Sequence, residues 1–253
     1  LTLMDDYSRY SEIMCLKSKG DVACAMWEVL TRWERQTGQK LKVVRTDGGT
    51  EYLGSLRDIF RENGVLHQTS TRYTPQQNGR AERLNRTLLE KARCMMFQAK
   101  VPAEFWGEAV LTANYLRNLV PTKAGKKTPC ELFTGRVPDL SQLKVFGCCA
   151  FVQVPAKLRG KLDKRSVKGI LVGYADRRKA WRVLCPSNNG RWDVHVSRDV
   201  QFVEHIRGVE ALKEHVSDEE TFDVAVWSAG DECSQQEQLH LGGEIAEVPE
   251  QSE

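Results

Sequence analysis

The chain has 253 residues, 41% of them apolar and 28% charged, with a net charge of +3, the balance of a globular protein rather than of a fibrous or fully disordered one. No run of 18 uncharged apolar residues occurs and no basic-then-apolar segment opens the sequence, so neither a helical membrane span nor a secretory signal is expected. The charge is unevenly spread: residues 204–253 hold 14 Asp and Glu against only Arg207 and Lys213, which leaves 35 basic and 20 acidic side chains in residues 1–203. A surplus of that sign is what binding a phosphate backbone requires, although solvated lysines on an ordinary surface give the same sum.

In chain order, "LTLMDDYSRYSEIMCLKS" alternates polar and apolar residues about an Asp-Asp-Tyr-Ser turn, which predicts two short strands of a hairpin. Val22, Met26, Val29, Leu30 and Trp33 then recur at helical spacing until Gly38 ends the run. "KLKVVRTDGG" reads as a strand closed by a breaker, "LGSLRDIFRENG" as a short helix ending at Gly64, and "VLHQTS" as a further strand. Alternating strands and helices predict an α/β domain. After a polar loop at 70–79, Ala81, Leu84, Leu88, Ala92 and Met95 form the core-facing stripe of a helix. Glu82, Arg86 and Arg93 share a different side of it, roughly a third of a turn from the stripe's centre. "PAEFWGEAVLTANYLRNLVP" predicts another helix bounded by Pro102 and Pro121. From about Gln142 the texture is of short strands, "LKVFGCCAFVQV", "VKGILVGYA", "AWRVLCPS" and "WDVHVSRDVQFVE", with an Asn-Gly hairpin signal in "PSNNGR". Beyond residue 204 the acidic sequence has no sustained period and reads as disordered.

Two carboxylates stand out. Asp47 ends the "LKVVRT" strand and precedes two glycines, and Glu82 opens a helix after a loop containing Pro75, Asn78 and Gly79. Two carboxylates so placed suit Mg²⁺, which takes oxygen ligands and bridges them to phosphate oxygens. Each also has a plain reading, a turn residue for Asp47 and a helix-dipole residue for Glu82. Arg80, Arg83, Arg86, Lys91 and Arg93 are candidate contacts to a phosphate backbone, DNA in the light of the resemblance described below, and to phosphate rather than to bases; an arginine-rich helix is alternatively a solvated face. The eight cysteines include no Cys-x-x-Cys pair, and the five histidines, His67, His195, His205, His215 and His240, show no metal-ligand spacing. Cys148 and Cys149, side by side in a strand, are assigned to core packing.

"RTDGGTEY", "YTPQQNGRAERLNRTLLEKAR", "FWGEAVLTANYLRN" and "KVFGCCAFV" resemble the integrase region of copia-type long-terminal-repeat retrotransposon Pol polyproteins, from residue 1 to about 204. The resemblance implies a ribonuclease-H-like α/β core (a mixed sheet with flanking helices) over 1–137, an SH3-like β module over 142–204 and the acidic tail over 205–253. It also implies dependence on Mg²⁺ or Mn²⁺ and a nuclear site of action after passage through the cytoplasm. The partners it implies are double-stranded DNA, at the element's ends and in the target, and further copies of the chain. Asp47 and Glu82 take the positions of the second and third members of an Asp-Asp-Glu triad that catalyses 3′-end processing and strand transfer. The first member lies on a strand upstream of "LTLMDDYSRY", and the chain opens with Leu1 rather than Met, so the sequence reads as a piece whose first core strand is missing. Asp6, or Asp5 beside it, is the only local substitute. Whether the chain is itself an enzyme hangs on that carboxylate; the alternative is a catalytically inactive, retrotransposon-derived DNA-binding or interaction protein.

Overall fold

The computed structural model describes residues 1–213 except 48, 50, 51, 53, 70–78, 122–124, 177 and 188–190. Most of the loop before Glu82, the centre of the Asn-Gly hairpin and most of the predicted acidic tail therefore lie outside the described residues.

The N-terminal part is built of strands of both senses with helices packed on them. β1 (Thr2–Met4) and β2 (Ser11–Ile13) form the predicted antiparallel hairpin, and β3 (Val43–Thr46) pairs in parallel with β4 (Leu66–Thr69). A parallel pair needs a crossover, and α2 (Ser55–Glu62) supplies it. The two pairs are separate ladders, yet one core joins them. α1 (Val22–Thr37) buries Met26, Val29, Leu30 and Trp33 against Leu3 of β1, Val44 of β3 and Leu56 and Phe60 of α2. α1 stops where its spacing predicts, because Gly38 takes the left-handed conformation, φ 69°, and returns its N–H to the Glu34 carbonyl.

α3 (Gly79–Ala99) and α4 (Trp106–Leu119) pack as a pair through Leu84, Leu88 and Ala92 on one side and Ala109, Val110 and Ala113 on the other. A short helix that the hydrophobic pattern does not announce, α5 (Pro129–Thr134), follows. Thr128 caps it by accepting from the Glu131 N–H at 3.0 Å, Pro129 begins it and Gly135 ends it at φ 72°.

The C-terminal part is a five-stranded antiparallel sheet in the order β8-β7-β6-β5-β9. Its strands are β5 (Cys148–Gln153), β6 (Ser166–Tyr174), β7 (Trp181–Pro186), β8 (Trp192–Ser197) and β9 (Val200–Arg207). The stretch from Trp192 to Glu204 is thus two strands, broken at Arg198 and Asp199. β8 and β9 occupy opposite ends of the ladder although only those two residues join them. The ends of a flat five-stranded sheet lie about 19 Å apart, and so short a link spans at most about 11 Å. The sheet is therefore rolled into a small barrel.

One expectation is corrected. The ordered fold does not end at residue 204: β9 runs to Arg207 and continues into α6 (Gly208–Lys213). Val209 and Leu212 are buried with Ile170, Val172 and Leu184, so burial of two apolar side chains in a six-residue helix, too short to show a period, carries the fold past the acidic boundary.

The two parts are in contact. Arg182 of β7 forms a two-pronged ion pair with Glu108 of α4, at 2.6 and 2.5 Å. Thr112 Oγ1 donates to the Val172 carbonyl at 2.8 Å, in the space that Gly173 leaves by lacking a Cβ.

Candidate functional site

Asp47 leaves the end of β3 with its side chain exposed. Its Oδ1 accepts from the Gly49 N–H at 3.3 Å, while Thr46 Oγ1 donates to the Asp47 carbonyl and meets His67 Nε2, each at 2.9 Å. His67 is half-buried, and burial, with Arg57 nearby, lowers its pKa. It is a neutral hydrogen-bonding partner of β3 rather than an isolated surface group. Glu82 stands in the first turn of α3, also exposed, where the positive end of the helix dipole favours a carboxylate. Both are hard oxygen donors of the type Mg²⁺ takes. No group of three or more His, Cys, Asp and Glu side chains placed to hold a metal exists among the described residues.

The two possible substitutes for a third ligand are engaged elsewhere. Asp5 Oδ2 accepts from the Ser8 N–H at 2.7 Å and the Ser8 hydroxyl at 2.6 Å, which closes the β1–β2 turn. Asp6 Oδ1 pairs with Arg9 at 2.5 Å and with Arg80 at the start of α3. The Arg80 hydrogen bond, helped by Arg9 and opposed by slight burial, holds the Asp6 carboxyl below the usual carboxylate range. Asp6 therefore reaches the helix that carries Glu82, but as the partner of two guanidinium groups.

The five predicted DNA-contacting residues of α3 are all exposed, and they divide between two faces. At about 100° per residue, Arg86 and Arg93 lie within about 40° of Glu82, whereas Arg83, Arg80 and Lys91 stand about 100°, 160° and 180° around the helix from it. Arg80 and Arg83 line a cleft of about 340 Å³ with Met4, Leu84 and Thr87, and two further arginines complete it, Arg9 and Arg117. The sequence pattern marks neither. Arg9 sits in the hairpin turn at φ 64°. Arg117 is set by the last turn of α4, whose Asn114 and Asn118 grip buried Ser11, and it donates to the Arg9 carbonyl at 2.7 Å and to Ser11 Oγ at 3.1 Å. The one signal for them is a basic residue in each of "DDYSRY" and "ANYLRN".

Residues 148–214, the rolled sheet with α6, match the family model of the retroviral polymerase SH3-like domain. Over 206 residues, 81% of this chain and 15% of the relative, the sequence is 41% identical to the retrovirus-related Pol polyprotein from transposon TNT 1-94 of Nicotiana tabacum. The chain's homologues include the retrovirus-related Pol polyproteins of plant transposons. A second relative, that of transposon RE2 of Arabidopsis thaliana, is 31% identical over 203 residues, 79% of this chain. The chain spans only 15% and 14% of the lengths of these two polyproteins. Among solved structures, the catalytic core domain of HTLV-2 integrase in complex with magnesium, in a trimeric form, is similar at a TM-score of 0.41 and 16% identity, over 52% of this chain and 82% of that one. This similarity agrees with the resemblance carried by "RTDGGTEY" and the α3 sequence.

Proposed function

We infer that this homologue of the transposon Pol polyproteins handles DNA during integration of an element into a target genome, the parent activity being metal-dependent polynucleotidyl transfer, 3′-end processing followed by strand transfer. The observation that carries the reading is α3 itself: an exposed carboxylate in its first turn and five exposed basic side chains along it. Phosphate contacts of that kind position a duplex without reading its sequence. Residues 1–137 are proposed as the core that holds DNA, with the β module following. The site of action is the nucleus, and the working state is an assembly of several copies.

Asp47 and Glu82 are the residues that would hold Mg²⁺ or Mn²⁺, which when bound activates the attacking oxygen and stabilises the leaving one. The chain's own part is to align DNA: the α3 guanidinium groups fix phosphates beside Glu82, and the open strand end at Asp47 leaves room for a backbone to approach. In-line attack by water, and then by the freed 3′-hydroxyl, needs positioning and electrostatic stabilisation rather than a covalent protein intermediate.

A second reading, DNA binding without catalysis, is favoured by one specific observation, the engagement of Asp5 and Asp6 by other groups. One assay separates the two. The chain is incubated with a labelled DNA end and Mg²⁺ or Mn²⁺, in parallel with D47N, E82Q and D6N. The chain alone is expected to bind DNA and form no strand-transfer product, since two carboxylates offset little of a divalent ion's desolvation. Product lost in all three variants would place Asp6 in the metal set after all, and failure to bind duplex DNA would refute the reading altogether.

A further inference from the structure

We propose that the cleft between the β1–β2 turn, α3 and α4 is a second phosphate-binding site, in which Arg9, Arg80, Arg83 and Arg117 hold a phosphodiester of duplex DNA on the opposite flank of α3 from Glu82. The proposal rests on the DNA-binding reading above and adds to it two residues and a second face.

Four guanidinium groups meet at one open concavity, and the only carboxylate ion-paired with any of them among the described residues is Asp6, which Arg9 and Arg80 share. Arg83 and Arg117 have no ion-pair partner among the described residues. Arg83 gives its Nε–H to the Gly79 carbonyl at 2.9 Å, and Arg117 is half-buried with hydrogen bonds to neutral oxygens. A half-buried guanidinium beside another cation is disfavoured unless an anion completes the arrangement. Burial, and next the charge of Arg9, lower the Arg117 pKa, the direction that crowding of like charges gives. Phosphate suits these donors because guanidinium forks match its oxygens in pairs.

The cleft's volume, about 340 Å³, falls at the small end of ligand sites, about 300–1,000 Å³. What selects a polymer over a small anion is what lies beyond it. Lys91 continues the face of Arg80, within about 20° of it around α3 and about 16 Å along the axis, so the positive charge runs on past the cleft as a phosphate backbone would. Arg86 and Arg93 occupy the other flank, so the helix would lie between two phosphate tracts and not along one.

The test is a salt titration of duplex-DNA binding by the full chain and by R9Q, R117Q and R86Q, with thermal melting to confirm that each variant folds. Losing one phosphate contact should flatten the salt slope by about one unit and weaken binding about eightfold at about 0.1 M salt. R9Q and R117Q are each expected to do so. R83Q serves in place of R117Q if the latter melts early, since Arg83 is exposed and bonds only within its own helix turn. If R9Q, R117Q and R83Q bind as wild type while R86Q weakens, the cleft proposal falls and the DNA-binding reading stands. If wild type itself does not bind, both fall. Inorganic phosphate at constant ionic strength is the second probe. Displacement of DNA by sub-millimolar phosphate, lost in R9Q, would make the cleft a free-anion site and overturn the assignment to DNA.

Discussion

Asp6 shows how much a single side chain's meaning depends on neighbours far away in sequence. By position it ends a strand, as a metal ligand would; in the fold it ties the hairpin turn to α3 through Arg80, 74 residues on. Because its pKa is depressed in the folded chain, the stability it contributes is present above the ordinary carboxylate pKa and is lost as pH falls through the depressed one. D6N should therefore lower the melting temperature at neutral pH and leave it unchanged only in acid below the depressed value. The pair is largely exposed, so the loss should not exceed about 1 kcal/mol, or about 2–4 °C; calorimetry of both proteins across pH checks it. A gap between them that persists in acid would mean that the charge of Asp6 is not what matters. The same dependence explains what was legible at this scale. Asp47 and Glu82 could be picked out because each sits in a distinctive local sequence. Arg9 and Arg117 could not, since 108 residues separate them and only the packing of β2 on α4 brings them together.

Among the elements, those with a long period were legible and those fixed by a few contacts were not. The stripe of α1 predicted all its buried residues but Ala25, and that of α3 predicted Leu84, Leu88 and Ala92 but not Ala99, with Ala81 and Met95 only half-buried, because an amphipathic helix writes its core face into every turn. α5 and α6 have six residues each and write almost nothing, although the Thr-Pro start and Gly end of α5 are a capping signature readable in retrospect. Gly147 marks a junction of the same silent kind. It enters β5 at φ 80°, donates to the Leu171 carbonyl at 2.7 Å and accepts from the Gly208 N–H at 2.8 Å. A Cβ there would collide with the Cβ of Ala99 and stand 3.1 Å from its Cα. G147A should cost about 2–4 kcal/mol, strain and overpacking together. G38A, at a similar φ with nothing within 4 Å of the new Cβ, should cost only about 1 kcal/mol. Denaturant unfolding of both variants separates them, and equal losses would show that the contact with Ala99 is soft.

For the whole molecule, the acidic segment and the folded body meet at a boundary that charge alone misplaces. Residues 214–253 contain 12 Asp and Glu and no Lys or Arg, beside 37 basic and 22 acidic residues in 1–213. A tethered polyanion competes with DNA for the same cations. A chain ending at Lys213 should bind DNA more tightly than the full chain at low salt, with the gain fading as the Debye length shrinks to about 8 Å near physiological ionic strength. A chain ending at Arg207 should in addition lose about 3–6 kcal/mol, because Val209 and Leu212 leave the core. Melting curves and salt titrations of the two truncations are the measurement. Equal affinities of full chain and 1–213 at low salt would remove the electrostatic account, and equal melting of 1–213 and 1–207 would remove the packing one.

The rolled sheet has a consequence during synthesis. β5 is flanked by β6 on one edge and by β9 on the other, and β9 starts at Val200, some fifty residues after β5 begins. At translation rates of about 5–20 residues per second, the ribosome exposes the apolar edge Cys148–Gln153 for roughly 3–10 s before its cover exists. An unpaired apolar strand is an invitation to edge-to-edge association, so nascent chains crowded on one messenger face their greatest risk of clumping in that interval. Stalling translation at residue 199 should therefore yield chains that sediment as aggregates or bind a holdase, whereas stalling late enough for Arg207 to clear the exit tunnel should not.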